Sequence, residues 1–161
     1  MIMKKETMEK RIVALIKQYA PRGTKFEWSR TQSWLGDCNY DYNEDTKRYS
    51  NFKIRISYPF ASINEWSVVR LIVLHEIAHA LTPGHNHDEA WREACLSIGG
   101  DGLGQYLVDE DGGDIRSPKA KWLGICPVCG NKITRMRLTD DERHRFFCCD
   151  WDRKIVWIKR K

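Results

Sequence analysis

Val68-Val69-Arg70-Leu71-Ile72-Val73-Leu74-His75-Glu76-Ile77-Ala78-His79-Ala80-Leu81 is an apolar segment with two histidines and a glutamate set into it. Its apolar residues cover every side of a helix, which predicts a buried helix, halted by Thr82-Pro83-Gly84. Ionisable groups inside such a helix are costly unless something satisfies them. Histidines four residues apart lie about 40° apart around the axis and one turn along it, so both imidazoles can reach one ion. Zinc suits the set, because two neutral imidazoles and a third ligand leave one tetrahedral position for a water whose pKa falls towards about 7. Glu76 can take a proton from that water without being a ligand itself, which makes it the candidate catalytic base.

The third ligand has to come from nearby. After the turn the chain reads Gly84-His85-Asn86-His87-Asp88-Glu89-Ala90-Trp91. His85 offers a His-Glu-x-x-His-x5-His spacing, Glu93 an acidic ligand. His87 stands four residues before Trp91, at the start of a second predicted helix over 88–98, so Trp91 can pack beneath the site while His87 points at the ion. His87 is the preferred ligand and His85 its main rival. The histidine left over is available to orient substrate or to stabilise the developing oxyanion.

Working outward, residues 6–20 put Ile12, Val13, Leu15, Ile16 and Tyr19 on one helical stripe, stopped by Pro21-Arg22-Gly23. Lys25-Phe26-Glu27-Trp28 is a short candidate strand. Residues 34–42 alternate with Trp34, Gly36, Cys38, Tyr40 and Tyr42 on one face, and Gly36 weakens that strand. The clearest strand alternates Phe52, Ile54, Ile56 and Tyr58 with Lys53, Arg55 and Ser57, and Pro59 ends it. Ser62-Ile63-Asn64-Glu65 reads as a capping box opening a helix over 63–81. The expected class is α+β: an N-terminal helix, a small antiparallel sheet, the histidine helix and a second helix.

The strand Ile54-Arg-Ile-Ser-Tyr-Pro-Phe60, the capping box, Leu74-His-Glu-Ile-Ala-His-Ala-Leu81 and Gly84-His-Asn-His-Asp-Glu-Ala-Trp91 resemble the SprT-like family. That family comprises the SprT and Spartan-type zinc metalloproteases with many bacterial and phage relatives. The resemblance spans roughly residues 6–100 and is strongest over 52–98. It implies a minimal zincin-like protease fold and peptide-bond hydrolysis, with a third histidine four residues before an aromatic, the register of His87 and Trp91. The shorter spacing that His85 would match belongs to the related Wss-like branch. Characterised relatives act on proteins bound or crosslinked to DNA.

The remainder of the chain has a different character. Residues 99–121 carry six glycines and a cluster of acids and read as a linker, giving a domain over 1–100, a linker over 101–121 and a small module over 122–161. Cys126-Pro127-Val128-Cys129-Gly130 is a zinc knuckle, whose turn aims both thiolates at one ion. SprT-like proteins often end in a zinc ribbon with a second Cys-x-x-Cys. Here the only further cysteines are the adjacent Cys148 and Cys149, whose side chains point to opposite faces of extended backbone. One of them, with His144 or a water, is expected to complete a second, structural zinc site. A ribbon that has lost its metal is the alternative.

The 27 Lys+Arg and 22 Asp+Glu sum to +5, but unevenly. Up to residue 114 the balance is −3 (14 basic, 17 acidic); from Ile115 it is +8 (13 basic, 5 acidic). The basic part includes Arg135, Arg137, Arg143, Arg145, Lys159 and Arg160, interleaved with Phe146, Phe147, Trp151 and Trp157, a composition suited to phosphates and exposed bases. Nucleic acid is therefore the expected partner of this part, and the resemblance implies DNA, beside a protein or peptide substrate for the first. The rival functions are a DNA-binding protein whose zincin core does not cleave, and a metal-dependent hydrolase of a non-peptide bond. At 161 residues and 42% hydrophobic the chain can bury a core, which excludes wholesale disorder. No apolar run approaches the roughly 18 residues of a membrane span, and the charged start resembles no secretory signal. A cytoplasmic setting with reduced thiols is expected.

Overall fold

The structure, a computed structural model, describes residues 3–104, 108–109, 115–116, 121–130, 132–135, 137–139 and 154–159. The chain divides into two units, Met1–Pro118 and Lys119–Lys161.

In the first unit α1 (Lys5–Tyr19) buries Met8, Ile12 and Ile16 at one-turn intervals, with Leu15 and Tyr19 packed at the margin of the same stripe. It ends at Ala20, immediately before Pro21. Three strands follow, β1 (Lys25–Ser29), β2 (Gly36–Asn43) and β3 (Arg48–Ser57), in the sheet order β1-β3-β2. The α+β class holds, but the sheet is mixed, which corrects the antiparallel expectation. The β2–β3 hairpin is antiparallel, with a register shift between Asn39 and Asp41, while β1 runs parallel to β3 from Lys25↔Lys53 to Ser29↔Ser57. Hairpin geometry follows from the short turn after Asn43. The direction of β1 depends on where the chain crosses after Ser29, which strand alternation does not encode.

The capping box is also corrected. Tyr58–Ala61 forms a short helix, α2, whose first backbone donors face Ser57 Oγ, and Ser62 closes that helix, its Oγ donating to Pro59 O at 3.1 Å. The long helix α3 starts later, at Trp66–Leu81, and Glu65 occupies its N-cap without a side-chain capping bond. Pro59, two residues into α2, explains the difference: its fixed φ suits a first helical turn as well as it ends a strand. In α4 (Glu89–Ser97) Asp88 is the cap, its Oδ1 accepting the Trp91 N–H at 3.1 Å. The main core joins Ile12 and Ile16 of α1, Ile54 and Ile56 of β3, and Val69, Ile72, Val73 and Ile77 of α3. Ala78, Trp91 and Cys95 form a second buried cluster where α3 meets α4. Beyond α4, β4 (Val108–Asp109) pairs in parallel with β5 (Ile115–Arg116).

The second unit has three antiparallel strands, β6 (Trp122–Ile125), β7 (Lys132–Arg135) and β8 (Val156–Lys159), with β6 central. Gly124 has no side chain because a Cβ there would stand 2.6 Å from Ile155 Cγ2 and 2.8 Å from the Trp157 ring. Trp157 therefore packs across the middle strand. No helix among the described residues is long and apolar enough to cross a membrane.

Candidate metal centre

The residues of α3 that the sequence singles out lie at the boundary between core and groove. His75 is 8% and Glu76 5% exposed, on a helix otherwise packed into aliphatic side chains. His79 lies one turn further along. His87, at the entry to α4, adopts a left-handed backbone with φ 55°, unusual outside glycine, and this turns its ring back over α3. The result is a convergence: His87 Nε2 lies 3.0 Å from His75 Nε2 and 3.1 Å from His79 Nε2. Among the described residues this is the group of three that can hold a metal ion, with ligand atoms all within 4.8 Å of one another.

Trp91 forms the floor. Its ring, 1% exposed, stands 4.6 Å from the His87 centroid, 4.7 Å from His75 and 5.3 Å from His79. The far ring nitrogen of His75 is committed elsewhere: His75 Nδ1 faces the Leu103 carbonyl at 3.2 Å. Donation from Nδ1 leaves the Nε2 lone pair of His75 facing the cluster. Burial, then the neighbouring His79 and His87, push His75 down to about 3; burial, then His87, push His79 down to about 4. Two imidazoles held neutral, with a third Nε2 against them, make a donor set that fits a zinc ion.

Glu76 projects from α3 towards the sheet. Gly36 of β2 approaches it so closely that a Cβ there would meet Glu76 Cγ and Oε1 at 2.9 Å. Burial, and then Asp37, raise the Glu76 carboxyl to about 8. Asp37 itself is paired with Arg55 through both guanidinium and carboxylate. Cys38, half-buried beside them, has its thiol pushed up to about 12 by burial, Glu76 and Asp37. These β2 residues and Tyr40 form one wall of a groove of about 410 Å³; His75, Glu76, His79 and the Gly84–His87 turn form the other. Tyr40 ties the walls together, its hydroxyl accepting the Gly84 N–H at 2.8 Å.

His85 shares the groove but not the convergence. Its Nδ1 lies 2.7 Å from Asp88 Oδ2, and its side chain is half exposed. Glu93, the acidic option, lies on α4 and outside the cluster. In the second unit Cys126 is buried and Cys129 exposed, on either side of the Pro127-Val128 turn, where the Gly130 N–H donates to Cys126 O at 3.0 Å. Arg135 is half-buried, Arg137 is exposed, and Lys159 lies over the Trp122 ring at 5.9 Å. Cys148, Cys149, His144, Arg143, Arg145 and Arg160 lie outside the described residues.

Sequence reasoning passed over Gly36 as a carboxylate neighbour, Tyr40 as the brace of the turn, and the backbone of Leu103 and Gly104. A glycine inside an alternating strand is a signal of close approach. The other contacts left none.

The SprT-like family model matches residues 6–108, more than half the chain, and takes in every residue of the groove. No curated protein and no solved structure matches the chain.

Proposed function

The chain belongs to the SprT-like family, and from that premise we propose that it is a zinc-dependent metallopeptidase acting on DNA-associated proteins in the cytoplasm. The convergence of three Nε2 atoms in one groove with the Glu76 carboxyl carries the reading. His75, His79 and His87 would hold the ion. Bound zinc supplies a Lewis acid that polarises a carbonyl and lowers the pKa of water.

The protein's own groups do the rest. The positive charge of a bound ion would favour ionisation of the Glu76 carboxyl, whose pKa burial and Asp37 otherwise raise. As a carboxylate Glu76 takes the proton of the attacking water and delivers it to the leaving amine nitrogen. Its tight seat against Gly36 limits the carboxylate to a small range of orientations. β2 is an edge strand beside the groove, so an extended peptide can lie along it and add main-chain hydrogen bonds. Trp91 and the aliphatic core beneath α3 shield the histidines from water on the buried side.

In the second unit we assign Cys126 and Cys129 to a structural zinc, completed from Cys148, Cys149 or His144. Arg135, Arg137 and Lys159 would contact phosphates, so that the ribbon holds the enzyme on DNA and nearby proteins become substrates.

Glu76→Gln tests the proposal. Hydrolysis of a protein substrate should fall by about 100-fold or more, with zinc stoichiometry and DNA affinity unchanged. Equal cleavage by variant and parent would leave a non-proteolytic binding protein or a contaminating protease. For the ribbon, DNA affinity should fall steeply with salt, and the slope of log affinity against log salt should shrink by about 1 for each basic residue removed.

A further inference from the structure

Just beyond α4, the backbone of two residues, Leu103 and Gly104, reaches two of the three histidines. The Leu103 carbonyl lies 3.2 Å from His75 Nδ1, the nitrogen opposite the one His75 turns to His87. Gly104 lies against His87, where a Cβ would meet His87 Cβ at 3.0 Å, Cγ at 3.1 Å and Nδ1 at 3.5 Å. Gly104 is not among the glycines with positive φ, so the demand for glycine here is one of space rather than backbone conformation.

The segment is also fastened at its near end. The Gly100 N–H donates to Cys95 O at 2.9 Å, and Gly102, with φ 68°, lies against Arg92 and Leu96 of α4. Asp101 Oδ1 then accepts the Leu103 N–H at 3.0 Å, which turns the chain so that the Leu103 carbonyl reaches His75. The Leu103 side chain is 55% exposed, so its place here is not explained by packing into the core.

We infer that Asp101-Gly102-Leu103-Gly104 is a positioning strap for the metal site. The Leu103 carbonyl selects the His75 tautomer that leaves Nε2 unprotonated, and the bare backbone of Gly104 sets the plane of the His87 ring. One imidazole on α3 and one on the turn before α4 are thereby held with Nε2 atoms together before an ion arrives, the kind of outer support that governs how tightly a metal is held. The inference rests on the reading of His75, His79 and His87 as metal ligands.

Cobalt(II) titration of the full chain tests it, because an all-nitrogen site lacks the sulfur-to-metal charge-transfer band of a cysteine knuckle and the two are read separately. Gly104→Ala and Asp101→Ala should each weaken cobalt binding at the histidine site by about tenfold, while Asp101→Asn, which keeps the Oδ1 acceptor, should match the parent. In the metal-free protein, long-range proton–nitrogen spectra should show His75 protonated at Nδ1 in the parent and Asp101→Asn, and a mixture of tautomers in Asp101→Ala. Parental cobalt affinity and tautomer in both alanine variants would overturn the strap. So would weakened binding in Asp101→Asn equal to that in Asp101→Ala, accompanied by a matching fall in the metal-free melting temperature, which marks a purely structural segment. A parent that binds cobalt at the histidines no better than His79→Ala would overturn the metallopeptidase reading, and the strap with it.

Discussion

His75, His79 and His87 stand on a core in which, among the described residues, twelve buried side chains from α1, β3, α2, α3 and the end of α4 pack together, with Trp91 as an additional floor. Cys126 and Cys129 flank a turn in a three-stranded sheet whose buried described residues are Gly124, Cys126 and Ile155. The first set of ligands is arranged by packing that exists without an ion. Among the described residues of the second unit few apolar side chains are buried, and Val128, Val156 and Ile158 are exposed. On the proposed reading, a metal at the first site would add chemistry to a finished fold, and a metal at the second would be part of the fold.

Stripping metal should therefore separate the two units most sharply. A structural zinc contributes on the order of 10 kcal/mol to a small domain, so a strong chelator should remove amide protection from Trp122–Ile125 while Val73 and Ile77 stay protected. Hydrogen exchange read residue by residue checks this, and simultaneous loss in both units would break the contrast. Next in size, Trp91→Ala should lower the stability of the first unit by about 3–5 kcal/mol and leave the second unit's transition where it was, as measured by urea unfolding followed separately in each.

A smaller effect sharpens the distinction between scaffold and chemistry. Gly36→Ala pushes a Cβ against Glu76, so cleavage should drop by about tenfold or more while the histidines bind zinc with parental affinity. A loss of zinc affinity equal to the loss of rate would show that β2 positions the metal site as a whole rather than the carboxylate. The smallest effect concerns Cys38, whose thiol ionises near 9 when exposed but at about 12 in the fold. The unfolded chain loses this proton first, so the contribution of Cys38 to stability is complete below pH 9 and is lost as pH rises towards 12. Alkylation at pH 8 should accordingly leave Cys38 unmodified in the native protein, as peptide mass mapping would show. Rapid labelling there would mean that the sheet side of the groove opens in solution.

What could be read in advance follows from the range of the interactions involved. α1 and β3 announce themselves by periodicity within one segment and the histidine helix by an unbroken apolar run, and the residues of the metal cluster lie within thirteen positions of one another, from His75 to His87. Ser62 and Glu65 have the residue types of a capping box, yet Pro59 draws Ser62 into the preceding helix, a competition that the motif alone does not display. The parallel partner of β1 and the approach of Gly36 to Glu76 are set by contacts across the sheet and between layers, so no local pattern carries them. The same holds for residues 101–104. Their glycines suggest a linker, and only the fold brings their backbone to His75 and His87.

The parallel pairing of β1 has a consequence during synthesis. Each β1 residue meets a partner 28 positions later, Lys25 with Lys53 and Ser29 with Ser57, so β1 leaves the ribosome well before the strand it needs. The apolar stripe of α1 waits with it, because Ile54, Ile56 and the whole of α3 are still to come. A pause in translation anywhere before Ser57 would leave that stripe uncovered and open to chaperones, and the metal site would form only later, once α3, His87 and the residues beyond α4 had all emerged.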